Sequence, residues 1–427
     1  MDGALSTRQI AVIGGGWAGL ASAVAASQRG AKVSLFEMAG QLGGRARSLP
    51  GDALTPGLDN GQHILIGAYT HSLKLMAALG VDIDQAFLRT PLRLRYPRHE
   101  GLQLPPGPPL LSFARGVWAH PSWPAKARLQ LLLAASTWLA RGFSADARLS
   151  VSTLCTGLPK CVRQDLIEPL CVAALNTPAA QASAQVFLRV LRDALFSGAG
   201  SADLLVPRQG LSTLMATPAM KHLSAQGVHI HLGTRVQTLA AEDSAWRVNE
   251  HRFDQVILAC SSSEAARLTQ VLAPGWSAMA QNLQFEPIVT VYIRSPGSAL
   301  PAPMVALQEG PDAPAQFVFD LGQLGTHPGL FAWVISGASA WVARGLDETA
   351  NRTLAQAQQE FDWASPPEVA RVLAEKRATF ACTPGLQRPP MRIAPGLLAA
   401  GDYVAGPYPA TLEGAVRAGQ AAASALG

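Results

Sequence analysis

Residues 9–45, QIAVIGGGWAGLASAVAASQRGAKVSLFEMAGQLGGR, constrain this chain more than any other stretch. A β-rich run over 9–13 enters Gly14-x-Gly16-x-x-Gly19. An alanine-rich, helix-compatible segment continues to Gln28, Gly30 ends it, and 32–36 reads as a second strand closing on Glu37. This is a β–α–β unit of about 30 residues with an acid about 20 residues past the glycines, a dinucleotide-binding pattern. Gly14 permits the tight turn out of the strand. Gly16 lets a pyrophosphate approach the backbone, and Gly19 lets helix and strand pack closely. The helix N-terminus offers free N–H groups and the positive end of its dipole. Glu37 suits the ribose hydroxyls, and its charge disfavours a 2′-phosphate and hence NADP. The alternative is a tight turn without a ligand. The presence of both strands, the helix and the terminal acid favours the dinucleotide.

Leu42-Gly43-Gly44-Arg45 follows Glu37 within a few positions. This pairing resembles the second flavin signature of the FAD-dependent amine oxidase and phytoene desaturase superfamily. The resemblance implies that the Gly-Gly-Arg turn passes over the pyrophosphate and flavin, with Gly43 and Gly44 approaching closely and Arg45 offsetting phosphate charge. FAD is therefore expected ahead of NAD. Leu58-Asp59-Asn60-Gly61-Gln62-His63 resembles the family's D-x-G-x-H segment, which runs beside the flavin. Gly61 would approach the ring. His63 either faces the flavin or substrate or is a hydrogen-bonded structural histidine. Residues 204–214 resemble the family's P-x-G-G segment, with Gln209 where a second glycine is common, and the backbone at Val236 is implied to meet the adenine. Near the C-terminus a strand ends in Gly401-Asp402, and Gly406-Pro-Tyr408-Pro-Ala-Thr411-Leu412-Glu413 opens a long helix. In the family this closing motif places the aspartate at the ribitol or a phosphate-linked hydroxyl. The helix start, here Thr411 and Leu412, then faces the flavin pyrimidine end.

The resemblance covers nearly the whole chain in order. It implies an α/β fold in which a Rossmann-type FAD-binding domain (1–70, 205–262 and 385–427) is interleaved with a substrate domain of mixed β-sheet plus helices (71–204 and 263–384). Within the superfamily, GGGWAGLASAV, LGGRA, LDNGQHILIGAY and AGDYVAGPYPATLEGAVRAG are most similar to the hydroxysqualene dehydroxylase family, bacterial flavoenzymes of hopanoid biosynthesis. That similarity implies a long apolar isoprenoid substrate and hydride transfer from reduced flavin to an allylic cation, and it leaves the electron donor open. His63 and Tyr408, with Glu413 behind them, are the candidate proton donors, and Tyr408 alternatively flanks the flavin. A carotenoid- or squalene-type desaturase running hydride transfer the other way shares the same motifs. A flavin amine oxidase is a third reading. It commonly places a lysine near the flavin from a second-domain strand, and 286–294 contains none.

Composition bears on partners. Hydrophobic residues make up 48% and charged residues 15% of the 427, with a net charge of +5. A basic, apolar chain without a nucleic-acid motif points to an anionic membrane surface rather than nucleic acid. Five cysteines, at 155, 161, 171, 260 and 382, have irregular spacing and no C-x-x-C pair, which argues against a metal site and fits a reducing cytoplasm. No signal-peptide pattern precedes the first strand, and no apolar run reaches the ~18 residues of a membrane span. Residues 113–141 join an apolar helix over 129–140 to Trp118, Trp123 and Trp138 and to Arg115, Lys126, Arg128 and Arg141. They read either as a membrane-dipping cap or as a buried helix. The expected location is the cytoplasm, peripheral on the inner face of the cytoplasmic membrane.

Elsewhere the pattern predicts a helix over 70–79 and a loop over 102–111. Helical spacing over 154–173 is expected to break at Pro159 and Pro169, with Asp165 and Glu168 facing a cavity or solvent. Further helices are expected over 185–196 and 346–361. Strands are expected over 227–236, 252–259, 286–294, 302–307, 317–320, 330–335, 369–375 and 376–381. His229 and His231 share a strand face, but no third ligand accompanies them.

Overall fold

The strand Gln9–Ile13 carries four consecutive buried apolar residues, the pattern of a strand covered on both faces. In the computed structural model, which describes residues 8–51 and 57–426, it lies inside a six-stranded sheet. The order is Arg392–Ala394, Leu397–Ala399, Gln255–Leu258, Gln9–Ile13, Lys32–Phe36 and His229–His231. All neighbours pair parallel except the antiparallel edge strand Arg392–Ala394. The helix Trp17–Gln28 packs along the helix Leu412–Ser424, and alanine and glycine make that approach possible. A Cβ on Gly419 would lie 2.3 Å from the Ala18 carbonyl oxygen, and Ser22 Oγ reaches the Gly419 carbonyl at 3.2 Å.

The second large sheet is antiparallel: Met304–Ala306, Phe317–Asp320, Leu330–Ile335, Phe285–Arg294 and Glu368–Phe380. The two strands expected over 369–381 are a single strand of 13 residues. Glu286 pairs with Thr379 and Ile288 with Glu375, so the polar insert around Lys376 and Arg377 is absorbed as a bulge instead of ending the strand.

Several sequence-based boundaries shift for local physical reasons. Residues 252–259 divide at Asp254, whose Oδ2 accepts from the Gln9 N–H at 2.7 Å. His251–Phe253 joins a meander with Leu239–Glu242 and Ala245–Val248, and only Gln255–Leu258 enters the main sheet. Its two turns hold Asp243 and Asn249 in the left-handed region, the residues best suited to it after glycine. The strand expected over 227–236 is confined to His229–His231. The expected loop over 102–111 contains the start of a helix, Pro109–Trp118, because proline opens a helix as readily as it breaks one.

The helix break expected at Pro169 does not occur. A π-helical turn, Arg163–Ile167, runs straight into Glu168–Leu175. Proline at 169 leaves the Asp165 carbonyl without an α-helical donor, and Tyr96 Oη supplies one at 3.1 Å. The Asp165 carboxylate accepts from Trp123 Nε1 at 3.0 Å, while Glu168 is exposed.

Glu413 is fully buried in the first turn of the C-terminal helix. It accepts from the backbone N–H groups of His71 (3.0 Å) and Ser72 (2.9 Å), from Ser72 Oγ (2.8 Å) and from Arg417 Nε (2.7 Å). It thereby caps the helix Thr70–Ala78, whose own N-cap residue Tyr69 provides no side-chain bond. These bonds assign Glu413 to the architecture and remove it from the candidate acids. Glu413→Ala is expected to cost about 3 kcal/mol in denaturant unfolding, with Glu413→Gln recovering part of the loss.

Candidate active site

An elongated cavity of about 790 Å³ collects the chain's glycine turns at one end and the inner face of the antiparallel sheet at the other. At the nucleotide end the three glycines differ in why they are glycine. Gly14 has φ +111°, and a Cβ there would lie 2.5 Å from the Ala259 carbonyl oxygen; one on Gly19 would lie 1.8 Å from the Gly14 carbonyl. Both are required by packing. Gly16 is not: its φ is −74°, and its Cβ would meet only Gly44 Cα, at 3.7 Å. The chain itself tolerates a side chain at 16, so the bare backbone there serves something in the cavity.

Gly16 also caps the helix Trp17–Gln28 without any side-chain bond, which leaves the first-turn N–H groups available to an anion. The second glycine turn faces the first. Gly43 N–H donates to the Gly15 carbonyl at 2.9 Å, and Gly16 and Gly43 form a parallel bridge. Glu37 is buried at the end of its strand and accepts from the N–H groups of Gly15 (2.6 Å) and Ala39 (2.8 Å). It therefore holds the first glycine turn while lining the cavity. Val236 lines the same end, its carbonyl accepting from Arg267 at 2.6 Å.

Arg45, expected to face phosphate, is paired with Asp402 at 2.6 Å and donates to the Ala378 carbonyl at 2.7 Å. Burial works against the guanidinium charge, and Asp402 more than offsets it, so the Arg45 pKa lies above its ordinary value. Gly401, Asp402, Thr411 and Leu412 all line the cavity. Thr411 Oγ1 accepts from Gly414 N–H at 3.0 Å and so starts the C-terminal helix. Tyr403 was not anticipated. Its ring packs on Gly401, and its hydroxyl lies buried at the cavity without a hydrogen-bond partner among the described residues. Burial pushes its pKa up, so it is a neutral donor.

At the other end, Gly61 (φ +89°), His63 and Ile64 line the cavity opposite the antiparallel sheet. His63 Nδ1 lies 3.0 Å from the Gly61 carbonyl. A carbonyl only accepts, so Nδ1 carries the proton, and burial lowers the His63 pKa below its usual value. The neutral ring thus presents a lone pair at Nε2. Tyr408 is not among the lining residues. Its backbone is left-handed, its ring stands edge-on to Tyr69 at 6.1 Å, and Arg417 covers it at 4.7 Å. Tyr69, rather than Tyr408, stands in the cavity wall here, and burial raises its pKa. It closes the LDNGQHILIGAY segment, which was the only sequence signal for it.

Beyond this turn the wall is a row across the sheet, Phe317, Val334, Thr290 and Leu373, each paired with the next. Among the described residues, no group of three His, Cys, Asp or Glu side chains is placed to hold a metal. All five cysteines are unpaired, and burial pushes the thiols of Cys155, Cys260 and Cys382 up to about 12.

The uncapped helix start, the bare Gly16, the facing Gly43–Gly44 turn and the unpartnered Tyr403 hydroxyl fit the pyrophosphate and flavin of FAD, and this fold defines a flavoenzyme. The chain belongs to the flavin containing amine oxidoreductase family, whose sequence profile matches residues 17–427. It is 26% identical to a hydroxysqualene dehydroxylase of Sinorhizobium fredii, over 97% of each chain. It is 27% identical to that of Zymomonas mobilis, over 96% of this chain and 97% of the other. A solved oxidoreductase from Methanosarcina mazei superimposes with a TM-score of 0.74 at 17% identity, covering 97% of this chain and 99% of that one. FAD is the cofactor.

Gly16→Val separates ligand from fold. Because the Gly16 backbone and its protein neighbours accept a side chain, the variant is expected to fold with normal circular dichroism and to lose FAD on gel filtration; flavin absorbance equal to wild type would refute the pyrophosphate assignment.

Proposed function

We propose that this flavoenzyme reduces hydroxysqualene to squalene, a reductive dehydroxylation that serves hopanoid synthesis. The observation that carries the reading is the cavity wall beyond the flavin turn. Phe317, Val334 and Leu373 make it apolar, and no lysine is among the lining residues. An amine substrate and the lysine-assisted chemistry of amine oxidases find little there. A long hydrocarbon bearing one hydroxyl fits. The near full-length similarity to proteins named hydroxysqualene dehydroxylase supports the same substrate.

The overall change is R–OH plus hydride plus a proton giving R–H and water. The C–O bond breaks with its electron pair on oxygen, the oxygen takes the proton and leaves as water, and the carbon receives the hydride. Bound FAD in its reduced form supplies that hydride. The wall around the chain excludes bulk water, which would otherwise trap the allylic carbon as alcohol. His63, neutral at pH 7, accepts a hydrogen bond at Nε2 and transfers a proton only after acquiring one. Tyr69 keeps its proton over the physiological range and is a further donor.

The same enzyme is read as resting on an anionic membrane surface. The helices Pro109–Trp118 and Ala125–Ala140 bury Val117 and Leu131, and the turn between them buries Trp123, but they expose Leu110, Leu111, Trp118, Leu129, Leu133 and Leu139. Between residues 101 and 145 every charged side chain is basic: Arg115, Lys126, Arg128 and Arg141. Arg128 ties the two helices together through the carbonyls of Trp118 (2.7 Å) and Trp123 (2.8 Å). Among the described residues no helix is long and apolar enough to cross a membrane. A surface that is apolar at its tips and basic around them matches the headgroup region, where a water-insoluble substrate resides.

Two experiments test these readings. Photoreduced enzyme mixed anaerobically with hydroxysqualene is expected to reoxidise with stoichiometric squalene. The rate should rise as pH falls below neutrality if His63 delivers the proton, and His63→Gln should flatten that rise. Reduction of oxidised enzyme by squalene or phytoene instead would make it a desaturase. Separately, Trp118→Ser/Leu129→Ser/Leu133→Ser is expected to lose sedimentation with vesicles of anionic lipid while keeping its flavin spectrum; equal sedimentation would show that this face does not bind lipid.

A further inference from the structure

The substrate end of the cavity contains a buried hydroxyl that has no hydrogen-bond partner among the described residues. Thr290 sits at the centre of the strand Phe285–Arg294 and is 1% exposed. Its cross-strand partners are Val334 on one side and Leu373 on the other, with Phe317 beyond Val334. In that row it is the single hydroxyl. Its Oγ1 is buried without a hydrogen-bond partner among the described residues, and the residue lines the cavity. The nearby Asn176 is by contrast fully engaged. Its amide donates to the Glu286 carbonyl (3.1 Å) and Thr379 Oγ1 (3.0 Å), and its carbonyl accepts from Gly337 N–H (2.6 Å).

Thr290 also stands under the turn that carries His63. Two residues along the strand, Tyr292 Oη donates to the Asp59 carbonyl at 3.1 Å and pins that turn to the sheet. Gly61 turns its bare Cα toward Thr290, so that a Cβ there would come 3.7 Å from Thr290 Oγ1. Valine would fill this β-strand position with the same shape and without the desolvation cost of a hydroxyl.

We propose that Thr290 holds the oxygen of the alcohol, donating its O–H to the substrate hydroxyl beside the His63 turn. The assignment rests on the dehydroxylase reading above and extends it to how the enzyme tells substrate from product. Thr290 keeps its own proton throughout. It bonds the oxygen while the C–O bond breaks, and the proton that completes water comes from elsewhere. The hydrocarbon product has no oxygen to offer, so it leaves the Thr290 hydroxyl unpartnered again, and the site favours the alcohol over the hydrocarbon.

The test uses the oxidised, FAD-loaded enzyme, in which binding occurs without turnover. Affinities for hydroxysqualene and squalene are read from the flavin absorbance change for wild type, Thr290→Val and Thr290→Ser, together with melting temperature. Thr290→Val is expected to weaken hydroxysqualene about tenfold to a hundredfold, to leave squalene unchanged, and to melt at or above the wild-type temperature. Thr290→Ser is expected to stay within about threefold of wild type for both ligands. Equal weakening of both ligands, or a lower melting temperature, would mark the hydroxyl as structural and overturn the assignment. So would a Thr290→Val enzyme that still prefers the alcohol as wild type does. Wild-type enzyme that binds neither ligand would overturn the dehydroxylase reading and this assignment with it.

Discussion

Two backbones meet where Gly16 faces Gly44, and the nucleotide end of the molecule depends on how closely they approach. A Cβ on Gly44 would sit 3.0 Å from Gly16 Cα, so the second turn can lie over the first only because Gly44 is bare. The Gly43 to Gly15 hydrogen bond then fixes their register, and the Glu37 carboxylate holds Gly15 from the far side. What results is an uncapped helix end roofed by a second turn, whose Gly44 carbonyl accepts from Arg47. The free N–H groups of such a pocket favour a diphosphate.

The Arg45–Asp402 pair has a structural meaning of its own. It joins the loop after the second strand to the end of the strand Leu397–Ala399, and Arg45 reaches the antiparallel sheet through the Ala378 carbonyl. A single side chain therefore links both sheets at the cavity. Tyr292 does similar work from the other direction by tethering Asp59. The antiparallel sheet and the nucleotide turns are tied to each other across the cavity by these polar contacts.

The features legible in the sequence were those whose physics is local. Gly14 and Gly19 announce a turn, Glu37 ends a strand, and Thr411 with Gly414 starts a helix, each within a few residues. Long-range facts were hidden. Tyr408 looked like a cavity residue because it precedes the C-terminal helix, and only the folded chain shows Tyr69 standing in front of it. Thr290 is an ordinary strand threonine until its neighbours Val334 and Leu373 are known to be apolar and to face the cavity. Proline misled in both directions. At 109 it opens a helix, and at 169 a helix passes through it because Tyr96, distant in sequence, takes over the orphaned carbonyl. The meander around Trp246 escaped notice because its strands are short and its turns use Asp243 and Asn249 in place of glycine.

The place of the C-terminal helix bears on assembly. Leu412–Ser424 lies against the first helix, and its Glu413 completes the start of Thr70–Ala78. The strand before it, Leu397–Ala399, pairs with Gln255–Leu258, which in turn pairs with the first strand of the chain. The nucleotide fold thus joins segments as far apart in the sequence as Gln9–Ile13 and Leu397–Ala399. Helices of the middle region form from near neighbours, whereas this sheet must bring distant segments together. The cleft is complete only when these distant segments have paired, so flavin capture is coupled to the long-range, slower step of folding rather than to the local one.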